Sequence, residues 1–409
     1  MTGFLRLLRT ERLAASLLLA AAALGLAIAN APFGPSVIAA RDAHAAVPWL
    51  DRLGLDLSIA HWVSDGLLAV FFFVVAVELK RELSIGDLSS PAKALLPAIA
   101  AAGGIVVPAL VFLAFTAGTT SVDGWPIPTA TDIAFALGTL AVFGRFIPTR
   151  VRVFLLALAV LDDLVAILVI AFFFTDDVDL ASLGFAALAV AAFGALSRLL
   201  RARSPFRLAR KSAWPVVAAL VVLALVAWVF TFRSGVHATI AGVALGFAMS
   251  RRPGGRAAHA LEPWSNAIVL PLFAFTAALV VVPSVAPDAL DPAFWGILVG
   301  LPVGKLVGIT LASAVGTAIL GRGARRSQTP LTIGDLTMVG ALGGVGFTVS
   351  LLMNELAFED SPTVADEGTL AVLLGSLVAI VVSSVFVAVR SARYRRLGAA
   401  PGEGGALAH

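Results

Sequence analysis

Long apolar runs, each about the length that crosses a bilayer and separated by short loops, constrain this chain more than any other feature. A bilayer core takes about 20 mostly apolar residues per helix. Twelve stretches meet that measure, at roughly 13–30, 60–79, 94–116, 126–144, 151–174, 180–199, 214–232, 235–250, 265–283, 293–318, 336–357 and 368–389. They are continuous and rich in Ala, Leu and Val, so they lack the alternation of a membrane β-barrel. With 13% charged residues in 409, too little charge remains to coat a soluble globule, which usually carries about a quarter. The fold class left is an all-α polytopic membrane protein of about twelve transmembrane helices. Disordered chains, disulfide scaffolds and ordinary nucleic-acid-binding domains are excluded. The pI near 10.1 accompanies a net charge of only +4. With no cysteine, disulfides, thiolate metal sites and cysteine nucleophiles are excluded together.

The loops test the span count. With the N-terminus inside and sides alternating, 25 of the 29 Lys and Arg residues fall inside, from Arg6, Arg9 and Arg12 to Arg393, Arg395 and Arg396. Only Arg41, Arg52 and Arg233 fall outside, and Lys305 lies within a span. A wrong count would invert the alternation partway. The positive-inside rule therefore favours twelve spans with both termini cytoplasmic. The run from Leu13 to Ala29 is longer than a signal-peptide core and reads as a retained first helix. No loop is long enough to fold alone, so residues 1–397 read as one membrane domain. The small, polar segment 398–409 reads as a disordered tail.

An ionisable group at the membrane centre costs at least about 2.5–3.5 kcal/mol and is a functional suspect by default. The central ones are Asp132, Asp162, Asp163 and Lys305, with Asp65 and Glu78 nearer the ends of the second span. Asp162 and Asp163 lie about 11 residues into a span that starts near Val151. Helix neighbours point about 100° apart, so one can face a cavity while the other faces a different helix. The plain alternative is a structural pair neutralised by protonation or by Lys305.

Two spans carry interruptions. Asp132 follows Pro126-Ile127-Pro128-Thr129-Ala130-Thr131, where prolines remove donors and disfavour helix before them. The second is Gly343-Gly344-Val345-Gly346-Phe347-Thr348. Each also has a simpler reading, a helix start for the first and small-residue packing for the second. They occupy the middle spans of 94–174 and 293–389, triplets that begin on opposite sides of the membrane and so form candidate inverted repeats. Broken helices crossing at midplane are tolerated where they line a cavity. Asp132 near helix N-termini and Lys305 near C-termini would then offset the half-helix dipoles.

His237 opens the eighth span and reads either as a packing histidine bonded to backbone or as a proton sensor. Glu78, Arg81 and Glu82 stand at helical spacing, as a solvated cluster or a pH-responsive one. There is no Ser/His/Asp arrangement, Walker loop or HExxH. The Gly86-Asp87 and Gly334-Asp335 pairs lack the earlier glycine of intramembrane aspartyl proteases. The chain reads as no enzyme and needs no cofactor.

At these residues the chain resembles the NhaA-type sodium/proton antiporters, which implies inverted repeats with broken helices. The matching stretches are Ser64-Asp65-Gly66 through Glu78-Leu79-Lys80-Arg81-Glu82-Leu83, Pro128-Thr129-Ala130-Thr131-Asp132, Leu161-Asp162-Asp163, Ser234-Gly235-Val236-His237-Ala238-Thr239, Leu270-Pro271-Leu272-Phe273-Ala274-Phe275, Gly304-Lys305 and Gly344-Val345-Gly346-Phe347-Thr348. They run from the second span to the eleventh. The resemblance implies a multi-pass protein of the bacterial inner membrane that exchanges one sodium or lithium ion for two protons, with no nucleic-acid partner, and that forms a homodimer. It implies that Asp163 is the main cation ligand and Asp162 its proton-carrying partner, paired with Lys305, so that these two carboxylates hold the metal ion transiently. It implies that Thr131, Asp132, Gly344 and Gly346 lie at the broken-helix crossing. Glu78, Arg81 and Glu82, with His237 and His259, would sense pH. One departure bears on that role. Where the family often reads Leu-Glu-His-x-Leu-His-Pro-Trp, this chain reads Ala257-Ala258-His259-Ala260-Leu261-Glu262-Pro263-Trp264, which shifts the expected pH set-point. Ala277, where the family often has Asn, is a smaller mismatch.

The mechanism implied is competition. Burial disfavours a charged carboxylate and a neighbouring ammonium favours it, so a midplane aspartate holds either a proton or a sodium ion. Asp162, Asp163 and Lys305 should titrate as a coupled unit, with alternating access from one bundle moving against another. A passive cation channel is the main alternative and would need no mobile proton site. A regulatory or scaffold protein would not need the central charges at all.

Overall fold

A computed structural model describes residues 11–44, 55–175, 178–201, 214–283, 287–320 and 331–397. Of the features read from sequence, the tail from Gly398 and the basic residues Arg6, Arg9, Arg52, Arg203, Arg207, Arg210, Lys211, Arg322, Arg325 and Arg326 lie outside the described residues. The described chain is helical apart from turns and one isolated antiparallel bridge between His44 and Ser58.

The helices are α1 (Glu11–Ala29), α2 (Gly34–Arg41), α3 (Ile59–Ile85), α4 (Pro91–Thr116), α5 (Ile133–Phe143), α6 (Thr149–Phe173), α7 (Leu180–Arg201), α8 (Trp214–Arg233), α9 (Thr239–Ala248), α10 (Arg251–Trp264), α11 (Leu270–Ala277), α12 (Pro292–Ile319), α13 (Ile333–Gly343), α14 (Phe347–Ala357) and α15 (Pro362–Arg396). Eight helical stretches among the described residues are long and apolar enough to cross a membrane, or up to ten if each of two bent pairs counts as one span. Prolines open α4, α12 and α15, at positions where a missing N–H goes unused. Asp291 caps α12 by accepting from the Ala293 N–H at 2.8 Å.

Several helix limits differ from the apolar runs, each for a local reason. The run at 126–144 becomes an α-helix only at Ile133, because Pro126 and Pro128 carry no N–H. The run at 235–250 yields only the ten-residue α9. Lys80 Nζ closes its end by donating to the carbonyls of Phe247 at 2.6 Å and Met249 at 2.7 Å. The run at 265–283 starts in a π-helical turn and its helix stops at Ala277. The non-helical backbone beyond is satisfied by Asn30, which donates to the Val280 carbonyl at 3.1 Å and accepts from the Val282 N–H at 2.9 Å. The run at 368–389 belongs to a 35-residue helix.

The helices pack as two compact units. One holds α2, α3 and α7 to α10. Its Trp62 and Trp228 rings stack at 5.7 Å beside Leu55, Leu57, Ala69 and Ala241. The other holds α1, α4, α5, α6 as far as Ala166, and α12 to α15. Its core joins Ala136 and Leu140 of α5, Leu155 and Leu158 of α6, Ile309 of α12, Leu336, Val339 and Leu342 of α13, and Val387 of α15. Lipid tails are as apolar as these side chains, so close packing and buried hydrogen bonds hold the helices together. That gives weight to the polar groups below.

Candidate functional site

The unit that contains α5 and α13 carries the central charges. Asp162 lies midway along α6 and is 2% exposed. Lys305, fully buried, follows directly on a π-helical turn at Gly300–Gly304. Pro302 in that turn has no N–H to continue a regular helix, and such π-turns recur at functional sites. Lys305 Nζ pairs with Asp162 Oδ2 and donates to Thr131 Oγ1 at 2.9 Å. Thr131 in turn donates to the Gly343 carbonyl at 2.8 Å. One continuous bonded chain thus links α6, α12, the extended segment before α5, and the end of α13. The second oxygen, Asp162 Oδ1, is buried and has no hydrogen-bond partner among the described residues. Asp163, partly exposed one residue on, acts on Lys305 by its charge.

The two interruptions meet. The Asp132 N–H donates to the Val345 carbonyl at 2.6 Å. Its Oδ1 accepts from the Phe135 N–H at 3.3 Å, capping α5. Its Oδ2 accepts from the Thr348 hydroxyl at 2.6 Å and the Thr348 N–H at 3.3 Å, at the start of α14. One buried carboxylate therefore serves two helix N-termini, where a negative charge is favourable. Between α13 and α14 the axis bends by 48°. Phe347 sits at φ +25°, a conformation costly for a residue with a side chain. Its N–H donates to Ser376 Oγ at 3.0 Å, and its ring meets Phe135 edge-on at 4.8 Å. Gly344 is required by close approach to the backbone of α12, whereas a Cβ on Gly346 would meet side chains, first Ser350 Oγ. A Cβ on Gly344 would stand 2.9 Å from the Leu301 carbonyl oxygen, and one on Gly346 2.6 Å from Leu301 Cδ2.

The remaining candidates lie in the other unit, in two groups. His237 precedes α9, and its Nε2 stands 3.2 Å from Asp65 Oδ1. Its Nδ1 lies 2.7 Å from Thr239 Oγ1, and the Trp228 indole donates to the Asp65 carbonyl at 2.8 Å. The backbone-bonded packing histidine is thus corrected: the ring contacts two side chains. In sequence Asp65 is a charge near a span end, and nothing there joins it to a residue so far along the chain. In the second group, Glu78 faces the charges of Glu262, Arg81 and Glu82. His259 Nδ1 lies 3.9 Å from Glu262 Oε2. Ala258 is buried against Val74 and Val77, whereas Glu262, one turn later, reaches the charged group.

Among the described residues no group of three or more His, Cys, Asp or Glu side chains is placed to hold a metal ion. The arrangement around Asp162 thus combines a buried carboxylate, one oxygen of it without a hydrogen-bond partner, a facing ammonium and the charge of Asp163.

Comparison with known proteins gives one consistent result. The family model described as Na+/H+ antiporter 1 matches residues 5–387. The chain is 59% identical over 395 residues to a protein named Na(+)/H(+) antiporter NhaA 2 from Clavibacter michiganensis, covering 96% of this chain and 94% of that one. It is 43% identical over 406 residues to the Na(+)/H(+) antiporter NhaA of Tropheryma whipplei, covering 98% and 100%. It is 44% identical over 402 residues to that of Mycolicibacterium smegmatis, covering 96% and 89%.

Proposed function

The chain belongs to the Na+/H+ antiporter 1 family, and from that membership we propose that it exchanges sodium, or lithium, for protons across the bacterial inner membrane. The observation that carries the mechanism is the buried Lys305–Asp162 pair with its unpartnered Asp162 Oδ1, next to Asp163. Sodium binds at Asp163 and expels the protons of the Asp162/Asp163/Lys305 group. Proton and sodium compete for the same oxygens, so neither crosses without the other's return. Two protons for each sodium move one net charge per cycle, which couples transport to the membrane potential at about 2.3 kcal/mol per 100 mV.

Residues 1–397 act as one transport domain of twelve spans with both termini cytoplasmic. The segments 94–174 and 293–389 are inverted repeats, a reading supported by two interruptions that bond to each other. Thr131, Asp132, Gly344 and Gly346 maintain the crossing. Glu78, Arg81, Glu82, Glu262, His259 and His237 set the pH of activation, and the working form is a homodimer. The passive channel finds no support, since the relatives are named antiporters.

The deciding experiment is sodium-driven proton movement in proteoliposomes, with sodium, lithium and potassium in turn. Exchange with sodium, lost in Asp163→Asn, is the expected result. No exchange at any pH from mildly acidic to alkaline would overturn the transport reading.

A further inference from the structure

A second buried charge cluster lies away from the exchange site, at the C-terminal end of α15. Asp335, fully buried in the first turn of α13, forms a capping box with Thr332. Arg390 of α15 donates to Asp335 Oδ1 twice, from Nη2 at 2.6 Å and Nε at 3.2 Å. Its Nη2 also reaches Thr332 Oγ1 at 2.7 Å. Tyr394, one turn on and the only tyrosine in the chain, donates to the same carboxylate, 3.0 Å from Oδ1 and 2.9 Å from Oδ2. Its ring lies 5.1 Å from the guanidinium carbon. Gly334 makes room for this, since a Cβ there would stand 2.9 Å from Arg390 Nη1. Beside Arg390, Ser391 Oγ accepts from the Phe146 N–H at 3.3 Å, just past the end of α5.

This end of α15 therefore holds the far ends of both half-helices whose near ends meet at the crossing. α5 starts at Asp132, and α13 ends at Gly343. Asp335 and Gly343 are eight residues apart, or about 12 Å along a stiff helix, and the side chains between pack in one core with α5 and α6. The capping box already pairs two of the backbone donors at the start of α13, so Arg390 is added to a helix start that is capped without it. A buried ion pair is weak evidence for stability, and its best-attested use is to fix a register.

We propose that Asp335, Arg390 and Tyr394 form a positioning clamp for the exchange site, holding α13 so that Thr131 can bridge Lys305 and the Gly343 carbonyl. None of the three touches the cation. The clamp rests on the reading of Asp162, Asp163 and Lys305 as the exchange site, and its effect should be on affinity and pH dependence rather than on turnover.

The test is exchange by the full-length protein in proteoliposomes, measured as apparent sodium KM, maximal rate and pH profile. The variants are Arg390→Gln, Asp335→Asn, their double, Arg390→Lys and Tyr394→Phe, with Asp163→Asn alongside. Arg390→Gln and Asp335→Asn should each raise KM by roughly 5- to 10-fold, within the range for couplings through packed elements. They should move the pH profile while the maximal rate stays within about twofold. The double should be no worse than either single, because the same pair is lost. Arg390→Lys should recover part of the shift, and Tyr394→Phe, which keeps the ion pair, should show a smaller shift of the same sign. Wild-type KM and pH profile in the clamp variants, with Asp163→Asn inactive, would overturn the clamp and leave the site reading standing. Shifts that add in the double, or a loss of maximal rate alone, would also overturn it. Exchange by Asp163→Asn at the wild-type rate would overturn the site reading and the clamp with it.

Discussion

Thr131 Oγ1 lies 2.9 Å from Lys305 Nζ and donates onward to the Gly343 carbonyl at 2.8 Å. One hydroxyl thus joins the only lysine among the central charges to the carbonyl end of a broken helix. A helix end that exposes carbonyls attracts positive charge, so the broken helix and the Asp162 carboxylate hold the same ammonium from two sides.

Removing that hydroxyl should be felt at the site. Thr131→Val keeps the shape but leaves Lys305 short of one acceptor and the Gly343 carbonyl without its donor, at about 1–3 kcal/mol for a buried unsatisfied group. Thr131→Ser should restore most of the loss. Apparent sodium affinity and thermal unfolding in detergent check this; equal behaviour of the Val and Ser variants would refute the bridge.

Asp132 is expected to act through its two helix caps more than through its charge. Asp132→Asn keeps one oxygen for capping and should retain exchange. Asp132→Ala loses both caps, each worth about 0.5–2 kcal/mol, and should unfold at lower temperature. A melting curve for each variant decides, and an Asn variant as unstable as the Ala variant would count against the double cap.

Among the charged neighbours of Glu78, Glu262 acts on it most. Glu262→Gln removes a negative charge from around Glu78, so deprotonation there becomes easier and the activation profile should move toward acid. An exposed pair of 0.2–1 kcal/mol gives a shift of roughly 0.2–0.7 pH unit at 1.36 kcal/mol per unit. Exchange measured across pH reads this directly; no shift, or a shift toward alkali, would place pH sensing elsewhere.

Asp163→Asn should reduce exchange by roughly 30-fold or more, since losing one partner of a coupled charge group costs about 2–5 kcal/mol. Initial rates in proteoliposomes measure it. A wild-type rate would show that the carboxylate is not the cation ligand.

Much of this was legible in the sequence because membranes tolerate few charges. Asp132, Asp162, Asp163 and Lys305 stand out against apolar spans, and the Pro-rich and Gly-rich interruptions mark the two segments that bond to each other. Helix limits were less legible, since they depend on distant partners: Lys80 closes α9, and Asn30 satisfies the backbone after α11. The Asp65–His237 contact and the Asp335–Arg390–Tyr394 cluster were not legible as pairs. In sequence Asp335 is half of a Gly-Asp pair, and Arg390 is one more basic residue near the end of a span.

Competition between sodium and protons is the central claim, and sodium binding to the purified full-length protein as a function of pH tests it most directly. If sodium displaces protons, its apparent affinity must fall as pH falls through the titration of the group, by about tenfold per pH unit for each proton displaced. Proton release into weak buffer should accompany binding, and Asp163→Asn should show neither. Sodium binding of constant affinity across that pH range, with no proton released, would contradict the account.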